Sequence, residues 1–155
     1  MPFIASHHLL KKVIAADNLK SETNEIAVPI HLLAKSVSVV IDAAGDAEKC
    51  GHFTLTTEML KHLKEAYFEA DADAPSETDA VVDVKLYNET DGADVVALTF
   101  SGEGGHKTSS DISSDLSGLA GKVLSVRITV STASATSGAT QVFRSAVLRL
   151  VFGVS

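Results

Sequence analysis

The stretch Gly102-Glu103-Gly104-Gly105-His106-Lys107-Thr108-Ser109 has the residue types of a phosphate-binding loop, small residues followed by a lysine and a hydroxyl. Such a loop needs Gly before the Lys and a helix after it, whose first amides cradle the phosphate. Here His106 precedes Lys107 and no helical pattern follows, so the segment reads as a flexible Gly- and Ser-rich loop. A second candidate is the acidic run Glu65, Glu69, Asp71, Asp73, Glu77, Asp79 and Asp83, which no Lys or Arg interrupts. Carboxylate oxygens are the donors a hard cation such as Ca²⁺ takes. The EF-hand order is missing, because Pro75 and Ser76 stand where that loop needs a ligand and Gly. The run is therefore either a solvated charged face or a Ca²⁺ site of another kind.

Nucleophilic chemistry fares no better. Cys50 and His52 could share one face of an extended strand, but no third group is placed to orient the imidazole. As the single cysteine, Cys50 can form no intramolecular disulfide and reads as a small hydrophobe. His7, His8, His31, His52, His62 and His106 lack zinc spacing. Serines are frequent between 101 and 138, yet no Gly-x-Ser-x-Gly elbow occurs. Asn88-Glu89-Thr90 matches a glycosylation acceptor, which matters only on a secreted chain. No residue is put forward as catalytic, cofactor-binding or metal-ligating, no cofactor is expected, and the expectation is a non-enzymatic protein.

The elements that would position these groups are mostly strands. Ile26, Val28, Ile30 and Leu32 alternate with polar or small residues, and Pro29 confines that strand to a sheet edge or a bulge. Val37, Val39 and Ile41 repeat the period, Ala43 to Asp46 reads as a turn, and Phe53 and Leu55 as a brief strand. The spacing of Met59, Leu60, Leu63, Ala66, Tyr67 and Ala70 predicts a helix over 57–70, capped by Thr56 or Thr57 and stopped before Pro75. Residues 81–89 and 93–100 flank Thr90-Asp91-Gly92, a hairpin signal because Gly accepts positive φ. Residues 101–111 read as a long loop. Residues 122–131 alternate cleanly, with Leu124, Val126, Ile128 and Val130 inward. The last strand, 140–152, would point Val142, Ala146, Leu148, Leu150 and Phe152 inward, and Arg144 in that phase implies a bulge. Residues 3–16 form a helix or an extended arm, with Leu9, Leu10, Val13 and Ile14 as the apolar set.

These elements make one β-sandwich domain over 1–155, with 1–24 as a possible N-terminal arm and one or two short helices. Composition agrees: the chain is 45% hydrophobic with 5% aromatics and no Trp, and its mean hydropathy is +0.19, so aliphatic side chains fill the core. That apolar surplus suggests surface hidden against a neighbour. No secretory signal and no run of about 20 apolar residues is visible, so the expected location is cytoplasmic or within a particle.

Charge is divided along the chain. After Asp115 there is no acid, while Lys122, Arg127, Arg144 and Arg149 supply four positive charges. The other 9 Lys and Arg stand against all 20 Asp and Glu, which puts −11 before that point within a net charge of −7. Two outcomes are open: opposite charges on adjacent strands of one sheet, or head-to-tail contact between subunits. Nucleic acid is excluded by the acidic balance and by the lack of interleaved Tyr or Trp.

The stretch Asp115-Leu116-Ser117-Gly118-Leu119-Ala120-Gly121-Lys122, running into Val126-Arg127-Ile128, resembles the late segment of galactose-binding-like jelly-roll domains, over about residues 111–152. In local terms, Asp115 or Ser117 would cap a one-turn helix, Leu119 anchor it and Gly121 allow the reversal. The resemblance implies an antiparallel jelly-roll-like sandwich. Sugar-binding members carry aromatic platforms, whereas this chain offers only Tyr67 and Tyr87. Two functions follow: a self-associating structural subunit of a virion, shell or filament, or a carbohydrate- or ligand-binding module using loops 71–79 or 102–111.

Overall fold

The computed structural model describes residues 25–153, so the expected arm over 1–24, with His7 and His8, lies outside them. Nine strands and two short helices occur among the described residues. In chain order they are β1 Glu25–His31, β2 Val37–Val40, β3 Gly45–Thr54, α1 Thr57–His62, β4 Leu63–Ala72, β5 Val81–Asn88, β6 Ala93–Ser101, β7 Gly105–Thr108, α2 Ser113–Leu116, β8 Val123–Thr132 and β9 Thr140–Gly153. Every pairing is antiparallel. A five-stranded sheet runs β1-β9-β4-β7, with β2 continuing the β1 edge along β9, and a four-stranded sheet runs β3-β8-β5-β6.

The two sheets bury their alternating apolar faces against each other, as period-two strands must. Phe68, Leu148, Leu150 and Phe143 from the larger sheet meet Val82, Leu86, Phe100, Leu124 and Ile128 from the smaller, all fully buried. Phe100 and Phe143 touch edge to face across the layers, with ring centroids 5.7 Å apart. Each such side chain contributes roughly 1.5–3 kcal/mol by leaving water. The apolar surplus therefore goes into this core. Val40, at 54%, is the one large hydrophobic residue exposed among those described.

The hairpin is where its turn residues place it. Gly92 has φ +71, and the Asn88 side chain accepts from the Thr90 and Asp91 amides at 3.0 and 3.2 Å. The bulge at Arg144 is also present: Asp71 faces Ser145 and Ala72 faces Phe143, leaving Arg144 unopposed. That extra residue changes the phase, so the inward set is Gln141 and Phe143 before it and Ala146, Leu148 and Leu150 after it. Val142 lies outside the set and Phe143 replaces it.

Four further expectations are corrected. The helix expected over 57–70 stops at His62, and residues 63–72 form β4. Thr56 does cap it, accepting from the Met59 amide at 3.2 Å. Beyond it Ala66, Phe68, Ala70 and Ala72 alternate inward. Pairing with β9 on one side and β7 on the other overrides the helical preference of a Lys-Glu-Ala stretch. The loop expected over 101–111 contains β7, a four-residue strand hidden from sequence by Gly104 and Gly105. The turn and brief strand expected between 43 and 55 are largely β3, whose alternation is broken by two register shifts. Gly51 sits at the second with φ +64, where any Cβ would collide with the Leu32 carbonyl. Finally, the one-turn helix of the Asp-Leu-Ser stretch begins earlier, at Ser113. Asp111, not Asp115 or Ser117, receives the Ser113 amide at 2.9 Å.

Candidate functional site

Both tyrosines anchor a charged cluster on the polar outer face of a sheet. On the four-stranded sheet, β5 points Tyr87 outward and Glu89 follows just past its end, while β8 brings Ser125 and Arg127 alongside. The Arg127 guanidinium lies 3.6 Å from the centre of the Tyr87 ring. Its Nη2 donates to Glu89 Oε2 at 3.0 Å, and Lys49 Nζ from β3 reaches the same oxygen at 2.6 Å. The buried Ser125 hydroxyl donates to Glu89 Oε1. Asp46 closes the far side, accepting from Thr129 at 2.9 Å and lying 3.4 Å from Arg127. With Arg127 as the main cause and Lys49 and Ser125 adding to it, Glu89 is held down from the ordinary 4.5 to about 2.

The five-stranded sheet repeats the recipe. Tyr67 on β4 sits opposite Arg149 on β9, with the guanidinium 4.5 Å from the ring centre. Arg149 Nε donates to Glu69 Oε1 at 2.7 Å. The Tyr67 hydroxyl donates to Glu65 at 3.0 Å, which pushes the phenol up. His106 on β7 lies 3.9 Å from Glu69. Further along, Arg144 pairs with Asp73 and lies 4.0 Å from Asp71.

The divided charge resolves into contacts within one chain. Lys122 binds Asp91 at 2.8 Å, Arg127 binds Glu89 and Asp46, Arg144 binds Asp73, and Arg149 binds Glu69. All four cations after Asp115 thus meet acids from the earlier part of the chain. Opposite charges on adjacent strands account for the asymmetry, and head-to-tail attraction is not required by it.

The remaining sequence candidates do not converge. Among the described residues no three His, Cys, Asp or Glu side chains gather as a metal site. Of the acidic run, Glu69, Asp71 and Asp73 face arginines, Asp79 accepts from the Ala135 amide at 2.8 Å, and Asp83 accepts from Thr99 at 2.5 Å. Cys50 is half-buried, and burial with Glu48 raises its thiol, opposite to what an activated nucleophile needs. His52 beside it lies on the irregular part of β3. Lys107, the would-be phosphate lysine, instead binds Glu103 at 2.5 Å and the Thr99 carbonyl at 2.7 Å. Asn88 is 3% exposed and hydrogen-bonded within its turn, so it is no accessible glycan acceptor. No helix among the described residues is long and apolar enough to cross a membrane.

Sequence reading missed the Arg–Tyr stacking. The signal available was the repeated Tyr-x-Glu at Tyr67-Phe68-Glu69 and Tyr87-Asn88-Glu89. On a strand, residues two apart share a face, so each pair presents a ring and a carboxylate to one arginine on the next strand. A guanidinium thus lies over one face of each tyrosine ring.

No protein-family model matches the sequence, and no curated protein matches it. Among solved structures, that of the infectious bursal disease virus Gx strain is similar over 83% of this chain, with TM-score 0.44 and 12% identity. This chain spans 32% of the chain it matches there. A likeness at that level carries no statement about what this chain does.

Proposed function

We propose that the chain is a non-enzymatic structural subunit, a jelly-roll sandwich that associates with copies of itself in a shell or particle such as a virion. The observation that supports this reading is the strand order. With β1 and β2 counted as one interrupted strand, positions one, eight, three and six face positions two, seven, four and five. That is the order of an eight-stranded double Greek key, used by capsid, lectin and cupin domains. The clusters favour the first of these options. A lectin wants an open ring and a cupin wants converging metal ligands, whereas here the tyrosines lie under arginines and the carboxylates are neutralised by cations.

Light scattering behind a sizing column tests the reading. A defined oligomer is expected. Because the cations after Asp115 are already paired within the chain, its mass should change little with ionic strength, unlike an association steered by complementary charge. A 16.2 kDa species at all concentrations overturns the proposal.

A further inference from the structure

A sandwich of open sheets has edges, and each edge offers unpaired amides and carbonyls to any extended chain. Three of the edges here are blunted by construction. β7 is only four residues long, and beyond it the edge of β4 is closed by side chains: Ser109 Oγ accepts from the Phe68 amide and Asp111 Oδ1 from the Ala66 amide, both at 2.9 Å. β3 carries two register shifts. The β1–β2 edge is interrupted between His31 and Val37 and contains Pro29, which has no amide hydrogen.

The fourth edge, β6, is different. From Val96 to Ser101 its register with β5 is unbroken, and the run contains no charge and no Pro. The direction of its free groups follows from one bond. The Gly102 amide donates to Ala80 at 3.0 Å, so Gly102 points toward β5. With the register unbroken, Phe100 and Leu98 point the same way, and alternation turns Ala97, Thr99 and Ser101 outward. One outward acceptor is already occupied: Lys107 Nζ caps the Thr99 carbonyl at 2.7 Å, is held by Glu103 at 2.5 Å, and lies 5.0 Å from the Phe100 ring centre.

We propose that the edge of β6, which pairs with β5 alone among the described strands, is a strand-pairing surface for β6 of a second copy, and that Lys107 is its gate. The occupant follows from the run itself. Two antiparallel copies of Val96–Ser101 oppose no like charges and set β-branched and apolar residues across from one another. A partner amide needs the Thr99 oxygen that Lys107 covers, so the ammonium must swing away before pairing completes. This inference rests on the self-association proposed above and assigns it a place.

The test uses the full chain with Cys50→Ser and Ala97→Cys, a nitroxide on the introduced thiol, and each protein with and without Lys107→Thr. Paired β6 strands put the two labelled backbones within about 15 Å of each other even with four residues of stagger, so dipolar broadening reports the edge. Light scattering on the same samples reports association by any route, and circular dichroism confirms folding. The expected result is broadening that rises with association and an apparent affinity about tenfold or more tighter with Lys107→Thr, the scale of one charge-assisted hydrogen bond. Adding Thr99→Pro, which removes an outward amide, should abolish the broadening. Association without broadening overturns the β6 edge and leaves self-association standing. Equal broadening with and without Lys107→Thr overturns the gate. A monomer in every variant overturns both readings.

Discussion

The two tyrosine clusters are built from the same parts and closed to different degrees. At Glu89, two cations and a serine hydroxyl converge on one carboxylate whose side chain is 15% exposed. At Glu69, one guanidinium donates, through Nε alone, and an imidazole stands off at 3.9 Å. The ring contact follows suit, 3.6 Å against 4.5 Å. Position explains the contrast. Arg127 lies on β8, flanked by β3 and β5, so Asp46 reaches it from one side and Glu89 from the other, and Lys49 on β3 reaches the same Glu89. Arg149 lies on β9, whose β1 side offers Pro29 opposite it, with no charge to add. A charged pair on a sheet is as tight as the strands on both sides allow.

The largest separation between the clusters should come from deleting the carboxylates. Glu89→Ala strands Arg127 and Lys49 together on one face, and should cost about 1–3 kcal/mol in urea unfolding. Glu69→Ala should cost about 0–1 kcal/mol, as for a surface pair. Equal losses would show that the second cation and the serine add nothing.

Acid should produce a smaller difference of the same sign. The folded protein holds Glu89 near 2 against an ordinary 4.5. A group depressed on folding stabilises the fold above its unfolded value, and that stabilisation fades as pH falls through the folded value. The stability gap between the parent chain and Glu89→Gln should therefore be full at pH 7, shrink below about 4.5 and vanish near 2. A gap that stays constant across this window would mean the cations do not hold the carboxylate ionised.

The smallest effect concerns the phenols. Tyr67→Phe removes the bond to Glu65 on an exposed face and should shift the melting temperature by about 1 °C or less. Followed by ultraviolet absorbance, it should also remove the Tyr67 titration that the bond to Glu65 pushes up.

How much of this was legible in the sequence depends on the range of the signal. The 81–101 hairpin could be read because Asp91-Gly92 and the flanking alternation are local. The Arg144 bulge could be read because a charge in an apolar phase announces a change of phase. β4 could not, since Ala, Glu and Lys carry a helical preference that only the partners β9 and β7 overrule. β7 was hidden because four residues with two adjoining glycines give no period. The charge division was visible as a sum, but which acid meets which cation depends on registers spanning 31 to 81 residues. The candidate clusters were therefore present in the sequence as parts without an arrangement.

The place of β9 in its sheet bears on how the chain comes to be folded at all. β1 and β2 line one side of it and β4 the other, so three strands wait for one that is made after them. On a ribosome the smaller sheet can be completed once β8 emerges, while the larger has no centre until residues 140–153 follow. Pairings of such long sequence separation are slow to close. During that interval Ala66, Phe68 and Ala70, buried in the finished protein, lie on a strand with no β9 beside it. The order of synthesis thus makes β9 the step that completes the larger sheet, and a chain cut after Gly138 should remain protease-sensitive through 25–72.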